Sequence, residues 1–96
     1  MRIEISSQVA SFLRELAPEP RRLIRSALRD LGEEQGDILA LEYPLDGFYR
    51  LRIGRYRVIF RYVVIRGKSV IRCDYAQRRE LVYETFAEMV TRLMKD

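Results

Sequence analysis

The sequence predicts a small α+β domain with an N-terminal strand, an antiparallel helix hairpin, a three-stranded antiparallel meander and a C-terminal helix. A chain of 96 residues is too short for two cores of useful size, so we expect one domain over residues 1–96. Hydrophobic periodicity is helical in the first third and at the C-terminus. From Phe48 to Ala76 the period becomes two, and β-branched and aromatic residues accumulate.

The N-terminal part predicts one strand and two helices. Residues 1–5 alternate apolar and polar side chains, as a short strand does. Ser6 or Ser7 can then cap a helix, because a hydroxyl accepts from an unpaired N–H of the first turn. A second helix follows the APEP segment, since Pro20 fits the first helical turn, where a missing N–H costs nothing.

A connecting loop and a first hairpin are expected next. Residues 37–47 show neither period and contain Pro and Gly, which predicts a loop. Gly54–Arg55 suits a two-residue hairpin turn that has Gly in its first position. This corner sets Arg52 opposite Arg57. One face of the hairpin then carries Leu51, Ile53, Tyr56, Val58, Phe60 and Tyr62, and the other carries Arg50, Arg52, Arg57 and Arg61.

The C-terminal part predicts a second hairpin and a helix. A corner near Arg66–Gly67 would add Ile71, Cys73 and Tyr75 to the apolar face and Asp74 to the arginine face. In residues 83–96, Thr85 and Glu88 have the spacing of a capping box. The apolar stripe of this helix consists of Phe86, Met89, Val90 and Leu93. We expect the helices to cover the apolar face of the sheet.

Composition excludes several classes of protein. The single cysteine, Cys73, cannot form an internal disulfide, and without any histidine there is no Cys/His zinc cluster. No apolar run approaches the roughly 20 residues of a membrane span, and the N-terminus lacks the pattern of a signal peptide. We therefore expect a cytoplasmic protein that uses no membrane, metal or small-molecule cofactor.

The positive charge is concentrated in one region. Residues 49–79 contain nine Arg and one Lys against one acid, a balance of +9, whereas the rest of the chain has eight bases and thirteen acids, a balance of −5. Such a patch suits phosphate, nucleic acid or an acidic protein. A solvated basic surface in an arginine-rich protein would give the same charge balance.

The pair Arg52 and Arg57 is the sharpest functional signal. Like charges directly opposite each other in a sheet are destabilising, so stability alone does not select them. Two guanidinium groups at that spacing could hold one phosphate between them. The alternatives are that Asp74 neutralises the pair or that both side chains extend into water.

Three runs, YRLRIGRYRVIF, PLDGFY and RRELVY, resemble the signature of the RelE/ParE superfamily of toxins from bacterial and archaeal toxin–antitoxin systems. The order of predicted elements is similar as well, so the resemblance covers almost the whole chain. It implies a RelE-like fold and a cognate antitoxin partner. RelE-type members cut mRNA in the ribosomal A site, whereas ParE-type members inhibit DNA gyrase without chemistry.

The resemblance implies a set of RNA-cleaving residues closer to the RelE branch. The four catalytic positions are occupied by Arg52, Arg57, Arg78 and Tyr83, and the expected RNA contacts are Arg50, Arg55, Arg61 and Arg79. Because the spacing from Arg78 to Tyr83 is one residue shorter than in the family, Arg79 can take the role of Arg78. Many relatives have a histidine where Gln77 stands.

The absence of histidine restricts the chemistry. A nuclease with one imidazole as base and another as acid is excluded, and hard metal cations need more oxygen ligands than the basic patch contains. Attack by the RNA 2′-hydroxyl, with arginines stabilising the transition state, remains. The side chains of Tyr and Arg ordinarily titrate far above pH 7, so we expect cleavage to depend on the ribosome to position the mRNA. The alternative is gyrase inhibition of the ParE kind.

Overall fold

The computed structural model describes residues 1–94, with side chains through Thr91. It confirms the α+β fold with the predicted N-terminal strand, two helices, meander and final helix. The elements are β1 (Arg2–Ile5), α1 (Ser7–Glu15), α2 (Pro18–Gly32), β2 (Asp37–Ala40), β3 (Tyr49–Ile53), β4 (Tyr56–Ile65), β5 (Lys68–Arg78) and α3 (Val82–Met94). None of these helices is both long and apolar enough to cross a bilayer.

The sheet has five strands in the order β1-β5-β4-β3-β2. β1 runs parallel to β5, with Ile3 beside Ile71, and every other neighbouring pair is antiparallel. The first and last strands are therefore adjacent. This pairing joins the N-terminal part of the chain to the basic meander.

Strand β2 corrects the prediction of a loop over residues 37–47. Asp37–Ala40 pairs with β3, so that Asp37 stands opposite Arg52 and Ile38 opposite Leu51. The segment is an edge strand of four residues, and its Leu39 is 52% exposed. A strand this short has no readable period of its own, and the pairing with β3 specifies it.

Both predicted hairpin corners are confirmed. Ile53 pairs with Tyr56 around Gly54–Arg55, and only Gly54 of the two turn residues has a positive φ, 58°, as a type II′ turn requires. At the other corner Ile65 pairs with Lys68, and Arg66 and Gly67 both have positive φ values, 52° and 76°. Two left-handed residues are the mark of a type I′ turn.

The main core lies between α1, α2 and one face of the sheet. Ser6 caps α1 by accepting from the N–H of Val9 at 3.2 Å, and its hydroxyl donates to the Asp74 carbonyl at 2.8 Å. Gln8 exchanges two hydrogen bonds of 2.8 Å with the backbone of Ala76. The buried residues are Val9, Leu13, Ile24, Leu28, Leu31, Leu51, Ile53, Tyr56, Val58, Phe60, Ile71, Cys73 and Ala76.

A second core lies on the opposite face of the sheet, which the sequence predicted to carry the arginines and Asp74. There α3 packs on Ile59 through Val82 and Phe86, and all three side chains are at most 1% exposed. The expectation that every helix covers one face is therefore wrong. Helices lie on both faces, because Ile59 supplies an apolar position within the arginine face.

A β-bulge accounts for a further correction. The ladder between β4 and β5 shifts at Asp74, so Tyr75 stands opposite Ile59 and not on the face of Ile71 and Cys73. An inserted residue reverses the facing of all positions beyond it. Tyr75 joins the second core, and Asp74 remains with the arginines, as predicted.

Helix α3 begins before the predicted capping box. Thr85 lies inside the first turn, where its N–H and its hydroxyl both donate to the Leu81 carbonyl, at 3.1 and 2.7 Å. The proposed cap with Glu88 is therefore wrong. Of the predicted stripe, Phe86 is buried and Met89 and Val90 are half-buried, whereas residues 95–96 and the Leu93 side chain lie outside the described part.

Candidate functional site

A row of polar side chains crosses four strands near the Gly54 turn. Asp37, Arg52, Arg57 and Gln77 are consecutive cross-strand partners on β2, β3, β4 and β5. Cross-strand partners point to the same side of a sheet. We call these four residues the turn-side row. It lies on the α3 face, beyond the second core.

Arg57 is the buried member of this row. Its side chain is 9% exposed, and its Nη1 donates to the carbonyl oxygens of Gly54 and Tyr56, both at 2.8 Å. Its Nε and Nη2 have no acceptor among the described residues, and no described side-chain nitrogen is both buried and unpaired. Those two donors therefore reach the surface while Nη1 holds the guanidinium in place.

Arg52 stands opposite Arg57 and is exposed. The alternative that Asp74 neutralises this pair is wrong, because the Asp74 carboxylate lies 3.1 Å from Arg61 and 3.7 Å from Arg72. Among the described side chains, no carboxylate lies within 4.0 Å of either guanidinium of the pair. The pair keeps its double positive charge.

Two other arginines of this face are held by neighbours. Nη1 of Arg50 lies 3.2 Å from Oδ1 of Asp37 and donates to the Asp37 carbonyl, also at 3.2 Å. Arg61 binds Asp74 and lies 5.8 Å from the centre of the Phe48 ring. Burial raises the pKa of the Asp74 carboxyl above its usual range, although Arg61 and Arg72 oppose that shift. Both arginines therefore also stabilise the scaffold.

Solved structures of toxins share this fold. An archaeal RelE–RelB complex from Pyrococcus horikoshii matches with 32% identity and a TM-score of 0.60, over 81% of this chain and 93% of that chain. The chain belongs to the RelE/ParE superfamily of toxins. It is thus a toxin of a type II toxin–antitoxin system. No family model and no curated protein matches the sequence.

Two further RelE/ParE structures share the fold at lower identity. The RelBE2 toxin–antitoxin complex of Mycobacterium tuberculosis has a TM-score of 0.65 at 20% identity, over 81% of this chain and 96% of that chain. A YoeB/ParE toxin from Agrobacterium tumefaciens has a TM-score of 0.66 at 13% identity, over 82% of this chain and 99% of that chain. At these identities the likeness concerns the fold alone.

Within this RelE/ParE fold, strand register separates Arg78 from Arg79. Arg78 pairs with Tyr56, a residue of the main core on the α1–α2 face. The N–H of Arg79 donates to the Arg55 carbonyl at 2.9 Å, which extends the ladder by one residue. Alternation along a strand then assigns Arg79 to the face of Arg57 and Arg78 to the other face.

Tyr83 lies in the first turn of α3 and is 39% exposed. The preceding residue, Val82, packs with Ile59, which is two positions along β4 from Arg57 on the same face. The start of α3 is therefore held over the arginine face, close in the fold to the turn-side row. Arg55 is exposed in the turn itself.

Sequence reasoning missed two members of the turn-side row. If the strand pairing from the Arg66–Gly67 corner had no bulge, Ala76 would stand opposite Arg57. The bulge at Asp74 shifts the register by one residue, so Gln77 stands there. The Gln77 side-chain oxygen accepts from the N–H of Arg78 at 3.0 Å, which leaves its NH2 group free to donate elsewhere. Asp37 was missed because its strand was predicted as a loop.

Proposed function

We propose that this toxin is a ribosome-dependent endoribonuclease that cuts mRNA in the A site. The single observation that supports it most is the pair Arg52 and Arg57, which has no carboxylate partner among the described side chains and in which Arg57 is fixed by two carbonyl oxygens. Donors that are already fixed need little reorganisation when charge develops on a phosphate. A gyrase inhibitor without chemistry has no need of such an arrangement.

The proposed reaction is an in-line attack by the RNA 2′-hydroxyl on the adjacent phosphorus. The hydroxyl loses its proton, a bond from O2′ to phosphorus forms, and the bond from phosphorus to O5′ breaks. The products are a 2′,3′-cyclic phosphate and a 5′-hydroxyl, which receives the proton. Arg57 and Arg52 hold the non-bridging oxygens as their negative charge increases.

Tyr83 and an arginine after β5 complete the proposed site. Tyr83 assists proton transfer or stacks on a base, and the arginine faces the leaving oxygen. Register favours Arg79 over Arg78 for that second role. The described residues contain no cluster of three potential metal ligands among His, Cys, Asp and Glu, so the proposal assigns no step to a metal.

Two macromolecular partners follow from the proposal. Three of the similar solved structures are complexes with a RelB antitoxin. We propose a cognate antitoxin for this chain, whose acidic residues meet the arginine face. We also propose that the ribosome holds the mRNA in the bent form that in-line attack requires, because the chain has no histidine to act as a general base.

An in vitro translation reaction tests the proposal. Mapping of mRNA ends should reveal new cuts at A-site codons after addition of the protein. Arg57→Ala should lower cleavage by about 100-fold or more, and Arg57→Lys should restore little, because an ammonium lacks the planar fork. Arg25→Ala on the exposed side of α2 is the matched control and should cut normally.

A gyrase supercoiling assay forms the second arm of this test. The proposal requires supercoiling to continue in the presence of the toxin. Inhibited supercoiling with intact mRNA would replace it with ParE-type activity. Folded protein that produces no new mRNA ends on translating ribosomes would also overturn it.

A further inference from the structure

A basic cavity lies at the end of the sheet away from the Gly54 turn. It occupies about 480 Å³ between the start of β1 and the β4–β5 hairpin. Arg2, Arg66, Lys68 and Ser69 line it together with the apolar Ile65 and Val70. The cavity therefore brings three cations together in one concave surface, away from the turn-side row.

The cations of this cavity outnumber the acids near them. Arg66 and Lys68 are exposed, and neither has a carboxylate within 4.0 Å among the described side chains. Glu4 already binds Arg2 at 2.8 Å and lies 3.8 Å from Arg72. The cavity is thus left with a net positive charge.

The cavity and the turn-side row share a face of the sheet. Ile65 lies an even number of positions along β4 from Arg57, so its side chain points to the α3 side as that of Arg57 does. Lys68 is the cross-strand partner of Ile65 and points to the same side. The eight-residue separation corresponds to about 26 Å along the strand at roughly 3.3 Å per residue. Arg61 and Arg72 lie between the two sites, bound to Asp74. Helix α3 covers Ile59 within this span, so the two sites are separate basic surfaces, and the distance between them corresponds to several nucleotides of RNA backbone.

We propose that the hairpin cavity binds a backbone phosphate of RNA, at a second point several nucleotides from the phosphate held by Arg52 and Arg57. This inference rests on the proposed function, since it takes RNA to be the ligand. The guanidinium of Arg66 supplies a planar fork for phosphate oxygens, and Lys68 adds an ammonium. The contact carries no base specificity; it positions the RNA.

The test measures binding of a 2′-O-methyl RNA decamer, which lacks the attacking hydroxyl and so cannot be cut. Amide NMR should show saturable shifts at Arg66, Lys68 and Ser69. The double variant R66A/K68A should lose them, and the slope of log affinity against log salt should fall by about 1.4, which is two contacts at about 0.7 each. The control R25A/R29A on α2 removes the same charge and should leave the shifts and nearly all of the slope intact.

Three results would overturn the inference. The first is RNA that shifts only amides near Arg52 and Arg57. The second is a salt slope that falls equally in R66A/K68A and R25A/R29A, which would reduce the effect to net charge. The third is a cavity that responds to a poly-glutamate decamer but not to RNA, which would make it a site for an acidic protein. This binding test does not measure cleavage, so it is independent of the translation assay. A toxin that binds RNA at the cavity without cutting mRNA would contradict only the proposed function, and a toxin that cuts mRNA without these shifts would contradict only the second site.

Discussion

Replacing Arg52 with glutamine should stabilise the fold while it abolishes cleavage. Arg52 stands opposite Arg57, and no carboxylate lies within ion-pairing distance of either among the described side chains. Glutamine keeps a polar stem on the exposed strand but removes one of the two charges. The variant separates the two explanations of the pair, since a residue selected for stability would give the opposite sign.

The magnitude follows from Coulomb's law. Ile53 and Tyr56, which flank the two-residue turn, form a hydrogen-bonded pair, so the next pair, Arg52 and Arg57, is non-hydrogen-bonded and its side chains start close together. Two unit charges about 6 Å apart in water repel each other by about 0.7 kcal/mol. Asp37 on β2 stands opposite Arg52, but its carboxylate binds Arg50 and offsets only part of this repulsion. We expect R52Q to raise the free energy of unfolding by about 0.3–0.7 kcal/mol.

Urea denaturation at two salt concentrations measures this effect. With a urea m value of about 1–1.5 kcal/mol/M, the midpoint should rise by roughly 0.2–0.7 M at low salt. At 1 M NaCl the Debye length is about 3 Å, and the gain should disappear. R61Q is the control, because Arg61 binds the half-buried Asp74 at 3.1 Å. The free energy of unfolding of R61Q should be lower than that of the parent by about 1 kcal/mol.

Three outcomes would refute the reasoning about Arg52. A loss of stability above about 0.5 kcal/mol at low salt would mean that Arg52 makes a favourable contact that exceeds the repulsion. A gain that persists unchanged at 1 M NaCl would mean that the gain is not electrostatic. R52Q that cuts mRNA as well as the parent would remove Arg52 from the proposed chemistry, whatever its effect on stability.

Three further predictions concern buried groups. Phe86→Ala should lower the free energy of unfolding, measured by urea denaturation, by about 3–5 kcal/mol. Phe86 is 1% exposed, and its ring packs edge-on to that of Phe48 with 5.0 Å between the ring centres. A loss below about 1 kcal/mol would mean that the packing of α3 contributes little to stability. Burial raises the pKa of Cys73 to about 12, so iodoacetamide at pH 8 should label the thiol only after unfolding; labelling at the same rate in the folded protein would contradict this. The pKa of Asp74 is raised by burial, so this group contributes stability below its unfolded pKa that is lost as the pH rises through the folded pKa. Its ¹³C carboxyl titration should have a midpoint above about 3.9, and a lower midpoint would show that Arg61 outweighs burial.

The hairpin around Gly54 was predictable because its determinants are local. A glycine in the first turn position and alternating apolar residues on both sides define the corner and the register, and the structure has the same Arg52–Arg57 pair. The starts of the first two helices also depend on local sequence. Ser6 caps α1, and two prolines lie in the first turn of α2. The last helix starts at Val82 without its predicted cap, because packing on Ile59 specifies it.

The bulge at Asp74 was not predictable from the pattern of β5. Its effect is to exchange the faces of the residues beyond it, so that Tyr75 packs in the second core and Gln77 joins Arg57. The alternation of apolar and polar residues in β5 continues without a visible break at Asp74, because both faces of β5 are partly apolar there. Only the cores on both sides of the sheet reveal where the inserted residue lies.

Periodicity and turn chemistry alone were sufficient for the α+β class, the order of the predicted elements and the opposition of two arginines, because each depends on neighbours in the chain. Tertiary structure decided what surrounds those arginines. It brought Asp37 to Arg50, assigned Asp74 to Arg61 and set Gln77 opposite Arg57 in the strand register. These contacts join distant parts of the chain, and their geometry depends on strand pairing and on packing against both faces of the sheet.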